Sequence, residues 1–319
     1  MEKPIELENT RTSTPPTAPA HTPLLRGRRR RAERLMEYFI LANGVLAVIV
    51  LVGVLAVLLQ QGLPAFWENS ITEFLFGTHW YPLSDPPVLG IAPFFVATLW
   101  VTAVSTALAI PIGVGCALYL SEVAPRRVAE VVKPFIELLA GFPSVVIGFI
   151  GLSLLSPWVQ GVFNLNTGLT GLTAGIMLAL MSLPVIISVS EDALRAVPDE
   201  FRRAAFALGC TRWEVIWHVA LPSALSGISA AVMLGVGRAI GETMTVLMVA
   251  GGALAMPASP TSPMMPLTAA IASGIGNAVR GGPQYHALFA IGLILFFLTL
   301  VVNLVASRVL EAQRRKFAG

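Results

Sequence analysis

The chain has 319 residues, of which 55% are apolar and only 12% are charged, and its formal net charge is +3. Its mean hydropathy is +0.76, whereas soluble domains carry roughly 25% charged residues. This composition excludes an ordinary soluble globular protein and indicates an integral membrane protein.

Six apolar stretches are long enough to cross a hydrocarbon core of about 30 Å as helices. In chain order they are residues 39–59, 91–120, 138–160, 168–190, 225–256 and 287–307. They predict an all-α integral membrane protein with six transmembrane helices. No small-residue cleavage site follows the first stretch, so we interpret it as an uncleaved anchor rather than a signal peptide.

The basic residues predict the orientation of these spans. Nearly all of the 21 Lys and Arg residues fall in the N-terminal tail, in two loops and at the C-terminus, and the loops are residues 121–137 and 191–222. Only Arg280 falls in a loop on the opposite side. By the positive-inside rule both termini are cytoplasmic. The run RGRRRRAER at 26–34 is then a topogenic signal rather than a nucleic-acid patch.

These observations predict the domain organisation. We expect residues 1–35 to form a disordered, basic cytoplasmic tail because they contain few large apolar side chains. An N-terminal transmembrane helix over 36–60 and an extracytoplasmic loop over 61–89 precede a transmembrane core over 90–310. Residues 311–319 form a cytoplasmic C-terminal tail.

Several catalytic motifs are absent from the sequence. The chain has three lysines, none of which follows a glycine, so it contains no Walker loop for ATP phosphates. Its four histidines and two cysteines show no metal-ligand spacing. We therefore expect neither a catalytic site nor a metal site, and no cofactor bound by this chain.

The loop at 191–222 predicts a short helix. Pro198 suits the first turn of a helix, and Asp199 and Glu200 would complement its dipole there. Gly209 can end the helix because glycine tolerates a positive φ angle. Such a helix could dock into a partner's groove or lie on its own membrane domain, and the residues alone leave both open.

This predicted helix is amphipathic. Its apolar ridge recurs at helical spacing and comprises Phe201, Ala205 and Leu208. Positive charge is contributed by Arg202, Arg203 and Arg212.

Two charges interrupt the fifth apolar stretch, at Arg238 and Glu242. Their spacing places them on one helical face, within reach of each other. Gly237 and Gly241 repeat that spacing, which would let a neighbouring backbone approach closely. The pair either serves packing alone or lines a polar pathway, as intramembrane charges commonly do. Thr243 could add a hydroxyl to such a pathway.

Prolines and one short apolar segment complete the prediction. Pro143 and Pro184 should kink their spans. The loop at 257–286 contains LTAAIASGIGNAV, which is short for a span, so we expect a helix lying at the outer surface.

The loop at 191–222 also resembles a known motif. Its matching positions are Arg203-Ala204-Ala205, Gly209, Val219 and Leu221-Pro222. This spacing resembles the EAA loop of binding-protein-dependent ABC importer permeases, in which the loop forms a coupling helix that docks into a cleft of the ATPase subunit. The resemblance implies coupling to an ATPase by Pro198, Arg202, Arg203, Ala204, Ala205, Leu208 and Gly209. Arg203 stands where that family usually has glutamate, so a salt bridge of the usual sign is not expected.

Three further segments resemble the phosphate-specific transport (Pst) permeases of the C type. They are LSEVAPRRV, PFIELLAGFPSVVIGFIGL and GRAIGETMTVLMVAGG. The resemblance implies a type I ABC importer permease (MetI-like) core, here with an extra N-terminal span, in the cytoplasmic (inner) membrane. It implies an A-type permease partner, two ATPase subunits that bind the ATP and Mg²⁺, and an extracytoplasmic phosphate-binding protein. Membrane lipid but no nucleic acid is expected to contact the chain.

The same resemblance assigns phosphate translocation to Arg238 and Glu242. A guanidinium offers a planar donor fork that matches an oxyanion. Phosphate near neutral pH keeps a proton and sulfate does not, so we hypothesise that Glu242 accepts a hydrogen bond from phosphate or holds Arg238 when the path is empty. The alternatives are a permease for sulfate or molybdate, a secondary anion transporter without an ATPase, and a membrane anchor that only assembles other subunits.

Overall fold

The computed structural model describes the backbone of residues 23–68 and 70–317. The expected disorder of residues 1–22 lies outside the described residues. The chain divides into two compact units between Val54 and Leu55. In the first unit, every described side chain from Met36 to Val54 is exposed, as expected of an apolar helix whose surface is covered by lipid.

Helices form nearly all of the described structure. They are α1 (Pro23–Glu68), α2 (Ile71–Phe76), α3 (Ala92–Leu118), α4 (Arg126–Ala140), α5 (Ser144–Ile150), α6 (Ser156–Phe163), α7 (Gly171–Arg195), α8 (Asp199–Ala207), α9 (Arg212–Val215), α10 (Leu221–Gly241), α11 (Met244–Val249), α12 (Leu267–Gly274) and α13 (Pro283–Phe317). A two-stranded antiparallel hairpin, β1 (Trp80–Tyr81) and β2 (Val88–Leu89), lies between α2 and α3.

In the part of the chain that the structure describes, three π-helical turns prolong helices. Tyr119–Val123 continues α3, Gly151–Leu155 connects α5 to α6, and Ile216–Ala220 connects α9 to α10. Each therefore prolongs a helix by a wider turn rather than ending it.

The described residues contain six helices that are long and apolar enough to span a membrane, which confirms the predicted number. They are Met36–Trp67, Ala92–Val123, Ser144–Phe163, Gly171–Arg195, Arg212–Gly241 and Pro283–Val305. Hydropathy located all six, and the differences lie at their ends.

The ends of the chain are more helical than expected. Helix α1 begins at Pro23, so its basic residues 26–34 continue the helix instead of belonging to a disordered tail. Helix α13 runs to Phe317, into the expected C-terminal tail. The predicted loop 61–89 is also structured, since it contains the end of α1, α2 and the hairpin.

Helix α7 forms the centre of the second unit, with α3 and α10 packed along it. Glycines permit these close contacts. A Cβ atom on Gly113 of α3 would lie 2.7 Å from Ile186, and one on Gly235 of α10 would lie 2.6 Å from the same side chain. Replacing either glycine would force backbones apart in a close-packed interior.

The fifth span ends earlier than predicted. The sequence predicted one helix over 225–256, but α10 ends at Gly241 and Glu242 has an extended backbone with φ −72° and ψ 133°. The chain then forms α11, and Gly251 pairs with Met264 in an isolated parallel bridge. The glycine has φ +94°, a conformation that favours glycine. A helix, a break and a returning segment therefore replace the predicted single span.

Helix α12 was expected to lie at the outer surface, and its first half is buried inside the protein. Its residues Leu267, Thr268, Ala269 and Ala270 are all buried. They pack on α3, α11 and α13. The segment is too short to span a bilayer, but it is apolar enough to fill the space opened by the break in the fifth span.

The two prolines that were predicted to kink spans differ in where they lie relative to their helices. Pro143 precedes α5 and stands outside its span, which begins at Ser144. The prediction of a kink at Pro143 was wrong because the third span starts at Ser144, later than the predicted residue 138. Pro184 lies within α7, which continues through it as one helix.

Candidate functional site

The break after α10 places Glu242 in a capping position. Its Oε1 accepts hydrogen bonds from the backbone N–H groups of Met244 at 3.1 Å and Thr245 at 3.3 Å. A carboxylate at this place satisfies amides at the start of α11 that have no partner within the helix. Glu242 therefore holds the break in shape.

Threonines tie the break to the buried helix α12. The Thr268 hydroxyl donates to the carbonyl of Glu242 at 2.8 Å. At the start of α12, the Leu267 N–H donates to the Thr98 hydroxyl at 3.0 Å. The Thr245 hydroxyl donates to the carbonyl of Ser144 at 3.0 Å. Three helices thus fix the backbone around Glu242.

Arg238 lies in the last turn of α10, and its side chain is half-buried. It lines a groove of about 310 Å³ between α10 and α13, together with Gly237, Thr299 and Asn303. Within the described part of the chain, no carboxylate comes within ion-pair distance of its guanidinium. The groove therefore presents a cation and polar side chains at a site open to a ligand.

The predicted contact between Arg238 and Glu242 is absent among the described residues, and the expectation of one shared helical face is wrong. Helix α10 ends at Gly241, so the two side chains leave different elements. Thr243 lies between the two helices, and its hydroxyl is 3.5 Å from the carbonyl of Gly241.

Gly237 and Gly241 do not mediate packing within the described residues. A Cβ atom on either glycine would meet no atom within 4 Å. The close contacts that α10 makes with α7 instead involve Gly227, which faces Ala193, and Gly235, which faces Ile186. A backbone approaching Gly237 and Gly241 would have to come from another chain, and this remains a prediction.

The predicted helix in the 191–222 loop is α8. Pro198 immediately precedes it, with Asp199 and Glu200 in its first turn. Gly209 follows its end with φ +87°. The N–H of Gly209 donates to the carbonyl of Phe206, and the N–H of Cys210 donates to that of Ala205. This is a Schellman ending, which satisfies the last carbonyls of the helix.

The apolar residues of α8 do not form one exposed ridge. Ala205 is buried against the membrane domain, whereas Phe201 and Leu208 are exposed. Leu208 is 86% exposed and Phe206 is 49% exposed. Arg203 and Ala204 are exposed as well. The helix thus lies on its own domain through one face and presents another apolar face outward.

Arg202 points inward. Its Nη1 donates to the carbonyl of Val197 at 2.6 Å, and its Nη2 donates to the carbonyl of Leu194 at 2.8 Å. The same Nη2 forms an ion pair of 2.7 Å with Glu122. The side chain is 14% exposed, so Arg202 anchors α8 to its own subunit.

A second charge cluster joins α4 to the end of α7. Lys133 forms ion pairs with Glu191 at 2.6 Å and with Asp192 at 3.0 Å. Hydrogen bonds to Glu191 and Asp192 raise the pKa of Lys133. Glu191 is only 2% exposed and also pairs with Arg195. Two cations therefore compensate a buried carboxylate.

Sequence reasoning missed Glu122, Glu191 and the threonines around the break. Glu122 and Glu191 lie at the ends of apolar spans, next to predicted loops rich in arginine or lysine. An acidic residue at the end of a span, next to a basic loop, is a sequence signal for an ion pair with that loop. Thr98 and Thr268 carried no signal, because a hydroxyl within an apolar helix commonly bonds to its own backbone.

A family model described as "binding-protein-dependent transport system inner membrane component" matches residues 109–318. Curated relatives include the "probable ABC transporter permease protein YqgH" of Bacillus subtilis. It is 37% identical over 254 residues, which cover 78% of this chain and 82% of the relative. The "phosphate transport system permease protein PstC" of Mesorhizobium japonicum is 35% identical over 281 residues, which cover 81% of this chain and 84% of the relative.

Solved structures share the fold. One chain of a bacterial alginate ABC transporter has a TM-score of 0.62 at 16% identity and covers 87% of this chain and 94% of its own length. A chain of the inward-facing MetNI methionine ABC transporter has a TM-score of 0.55 at 19% identity, with coverage of 72% and 99%. At these identities the likeness concerns the fold alone.

Proposed function

Since the chain belongs to the family of binding-protein-dependent transport system inner membrane components, we propose that it is the permease subunit of an ATP-driven importer that translocates inorganic phosphate across the membrane. The observation that carries this proposal is the half-buried Arg238. Its guanidinium lines a groove in a spanning helix without a carboxylate partner among the described residues.

An unpaired intramembrane cation suits an anionic substrate. Charged residues within transmembrane segments are rare, and they commonly mark ion pathways or buried pairs. Arg238 has no pair in the described structure, which favours a pathway. A guanidinium fork can donate two hydrogen bonds to one tetrahedral oxyanion, and Thr243 lies five residues further along the chain.

The relatives favour phosphate among the oxyanions. Proteins named phosphate transport system permease PstC match this chain in Mesorhizobium japonicum, Pasteurella multocida and Haemophilus influenzae, at 35% to 36% identity. Their matched regions cover 77% to 81% of this chain. Sulfate or molybdate import is the runner-up, because Arg238 alone does not distinguish tetrahedral oxyanions.

The partners follow from the family. Two ATPase subunits would bind the ATP and Mg²⁺, and one of them would receive the exposed face of α8, with Phe206, Leu208 and Arg203 at the contact. An extracytoplasmic phosphate-binding protein would deliver substrate. An A-type permease would complete the pathway.

The orientation follows from charge. Nearly all Lys and Arg residues fall in the loops that contain α4 and α8 and near the two termini of the sequence, and by the positive-inside rule this favours cytoplasmic termini. The membrane would be the cytoplasmic one, and α8 would then face the compartment that supplies ATP.

Substrate-stimulated ATP hydrolysis tests the proposal. The chain is reconstituted with the A-type permease, the ATPases and the phosphate-binding protein, and hydrolysis is measured with phosphate, sulfate and molybdate. We expect stimulation by phosphate alone. Stimulation by sulfate or molybdate instead would assign another oxyanion. Phosphate transport that continues without the ATPases would indicate a secondary transporter.

A further inference from the structure

One residue, Glu122, contacts the 191–222 loop on both sides of its exposed part. Glu122 lies in the π-helical turn that continues α3. Its carboxylate pairs with Arg202 of α8 at 2.7 Å. Its backbone carbonyl accepts a hydrogen bond from Arg212 of α9. The end of the α3 span is therefore bound to both helices of the loop.

The contact to α8 is largely shielded from water. The Glu122 side chain is 10% exposed and that of Arg202 is 14% exposed. The same guanidinium binds the carbonyls of Leu194 and Val197, at the end of α7 and just after it. An ion pair with additional hydrogen bonds in such a place is held in one geometry. Arg202 thus connects α8 to the ends of α3 and α7 together.

The segment between the two contacts projects outward. Arg203, Phe206 and Leu208 are exposed, and Leu208 is more exposed than Phe206. A partner that moves this segment must move α8 and α9 with it, and both helices are joined to Glu122.

Helix α3 has the packing needed to pass such a displacement on. It lies along α7, and it contacts both α10 and α12. Its Thr98 also binds the start of α12, whose next residue, Thr268, binds the backbone at Glu242. A continuous set of contacts therefore connects the exposed loop to the break beside Arg238.

We propose that Glu122 is a positioning residue that transmits movement of the α8–α9 loop to the α3 span, and so couples ATP hydrolysis to substrate movement. This inference rests on the proposed function, since it requires partner ATPases at α8. It assigns to Arg202 a role within the subunit rather than at the partner surface. Glu122 touches neither the ATPase nor the substrate in this scheme.

The test is the number of phosphate ions transported per ATP hydrolysed by the reconstituted complex. Glu122→Gln keeps the side-chain shape and one acceptor oxygen but removes the charge. We expect the complex to assemble and to hydrolyse ATP, while the transport ratio falls about tenfold, within the usual range of coupling between sites. Glu122→Leu should lower the ratio further, because it removes both the charge and the acceptor oxygen that Arg202 binds at Glu122.

The matched control is Glu130→Gln. Glu130 lies on α4 and pairs with Arg126, and both side chains are well exposed. This variant should leave the ratio within about twofold of the original, as expected for an exposed ion pair.

A double variant tests whether Glu122 acts through Arg202. Glu122→Gln combined with Arg202→Gln should behave as Arg202→Gln alone, because both remove the same contact. The proposal would be overturned if the losses in transport ratio of the two single variants added up in the double variant. A wild-type transport ratio in Glu122→Gln would overturn it as well. If Arg202→Gln does not assemble, the ratio in Glu122→Gln decides alone. A wild-type complex without phosphate-stimulated hydrolysis would instead refute the proposed function.

Discussion

Arg238 and Glu242 lie four residues apart in the sequence but belong to different structural elements. Arg238 lies in the last turn of α10, whereas the Glu242 carboxylate caps α11 through the amides of Met244 and Thr245. The structure therefore separates two roles that the spacing had combined. Arg238 is available to a ligand in the groove between α10 and α13, and Glu242 holds the shape of the break that follows α10.

The capping role of Glu242 predicts different effects for two substitutions. Glu242→Ala removes the acceptor of two amides and should lower the free energy of unfolding by about 0.5–2 kcal/mol, the usual cost of a lost helix cap. Glu242→Gln keeps an acceptor oxygen and should lose less. Thermal unfolding of the purified complex measures both. A Glu242→Ala complex as stable as the wild type would contradict the capping role.

The hypothesis that Glu242 also accepts a hydrogen bond from the protonated oxygen of phosphate has a separate test. One carboxylate oxygen binds the two amides, so the other oxygen is the candidate acceptor for substrate. Glu242→Gln should then weaken discrimination between phosphate and sulfate in uptake competition. If uptake and selectivity both stay unchanged, Glu242 acts on the backbone alone.

Accessibility of the groove predicts a pattern of thiol labelling. In a background with Cys116 and Cys210 replaced by serine, Gly237→Cys should react with a hydrophilic thiol reagent, because the space around its Cβ is open. Ala239→Cys, a buried position two residues along the same helix, should not react. Phosphate should slow the reaction at Gly237→Cys. Equal labelling of Gly237→Cys and Ala239→Cys would contradict an accessible groove beside Arg238.

The exposed face of α8 predicts a loss of ATPase binding on substitution. Leu208→Ser should reduce copurification of the ATPase subunits, because the apolar Leu208 side chain would be buried in the contact and that burial would contribute to binding. The matched control is Leu83→Ser in the hairpin between α2 and α3, where the side chain is 93% exposed. If the control weakens the ATPase contact as much as Leu208→Ser, α8 is not the docking surface.

The Lys133 cluster predicts a pH-dependent contribution to stability. Because hydrogen bonds to Glu191 and Asp192 raise the pKa of Lys133 from its ordinary value of 10.5, its stabilising effect is complete below that value and is lost as the pH rises through the raised pKa. Lys133→Gln should therefore lower the melting temperature at neutral pH, and the difference from the wild type should narrow at a pH above 10.5, as the pH rises through the raised pKa.

Arg126→Gln provides the comparison for Lys133→Gln. Arg126 lies on the same helix, but its side chain is 91% exposed and its partner is Glu130. We expect little change in melting temperature at either pH. A constant difference between Lys133→Gln and the wild type across this pH range would contradict the assignment to the ammonium charge.

Hydropathy predicted the six spans, because membrane insertion depends on the summed apolarity of a segment, and Pro198 and Gly209 predicted the two ends of α8. Summed apolarity cannot detect a break. The segment GETMTVLMV stays apolar enough to read as one helix, and only the contacts of Glu242 with Met244, Thr245 and Thr268 reveal where it ends. Local sequence carries no record of the contact with Thr268, which lies 26 residues further along the chain.

The burial of α12 and the inward direction of Arg202 were missed for a related reason. The length of LTAAIASGIGNAV excluded a span, but only the space left by the break explains why Leu267 and Ala270 are buried. Arg202 and Arg203 are adjacent and chemically identical in sequence. Glu122, eighty residues away from Arg202, determines which of the two turns inward.

Uptake of labelled phosphate into proteoliposomes is the most direct test of the central claim, that phosphate crosses the membrane past Arg238. The complete complex is reconstituted with ATP at the ATPase side, using the wild type, Arg238→Gln and the exposed control Arg280→Gln. We expect Arg238→Gln to assemble normally but to lose uptake by about 10- to 100-fold, the cost of a lost charge-assisted hydrogen bond, while Arg280→Gln transports as the wild type does. Uptake by Arg238→Gln at the wild-type rate would contradict the account.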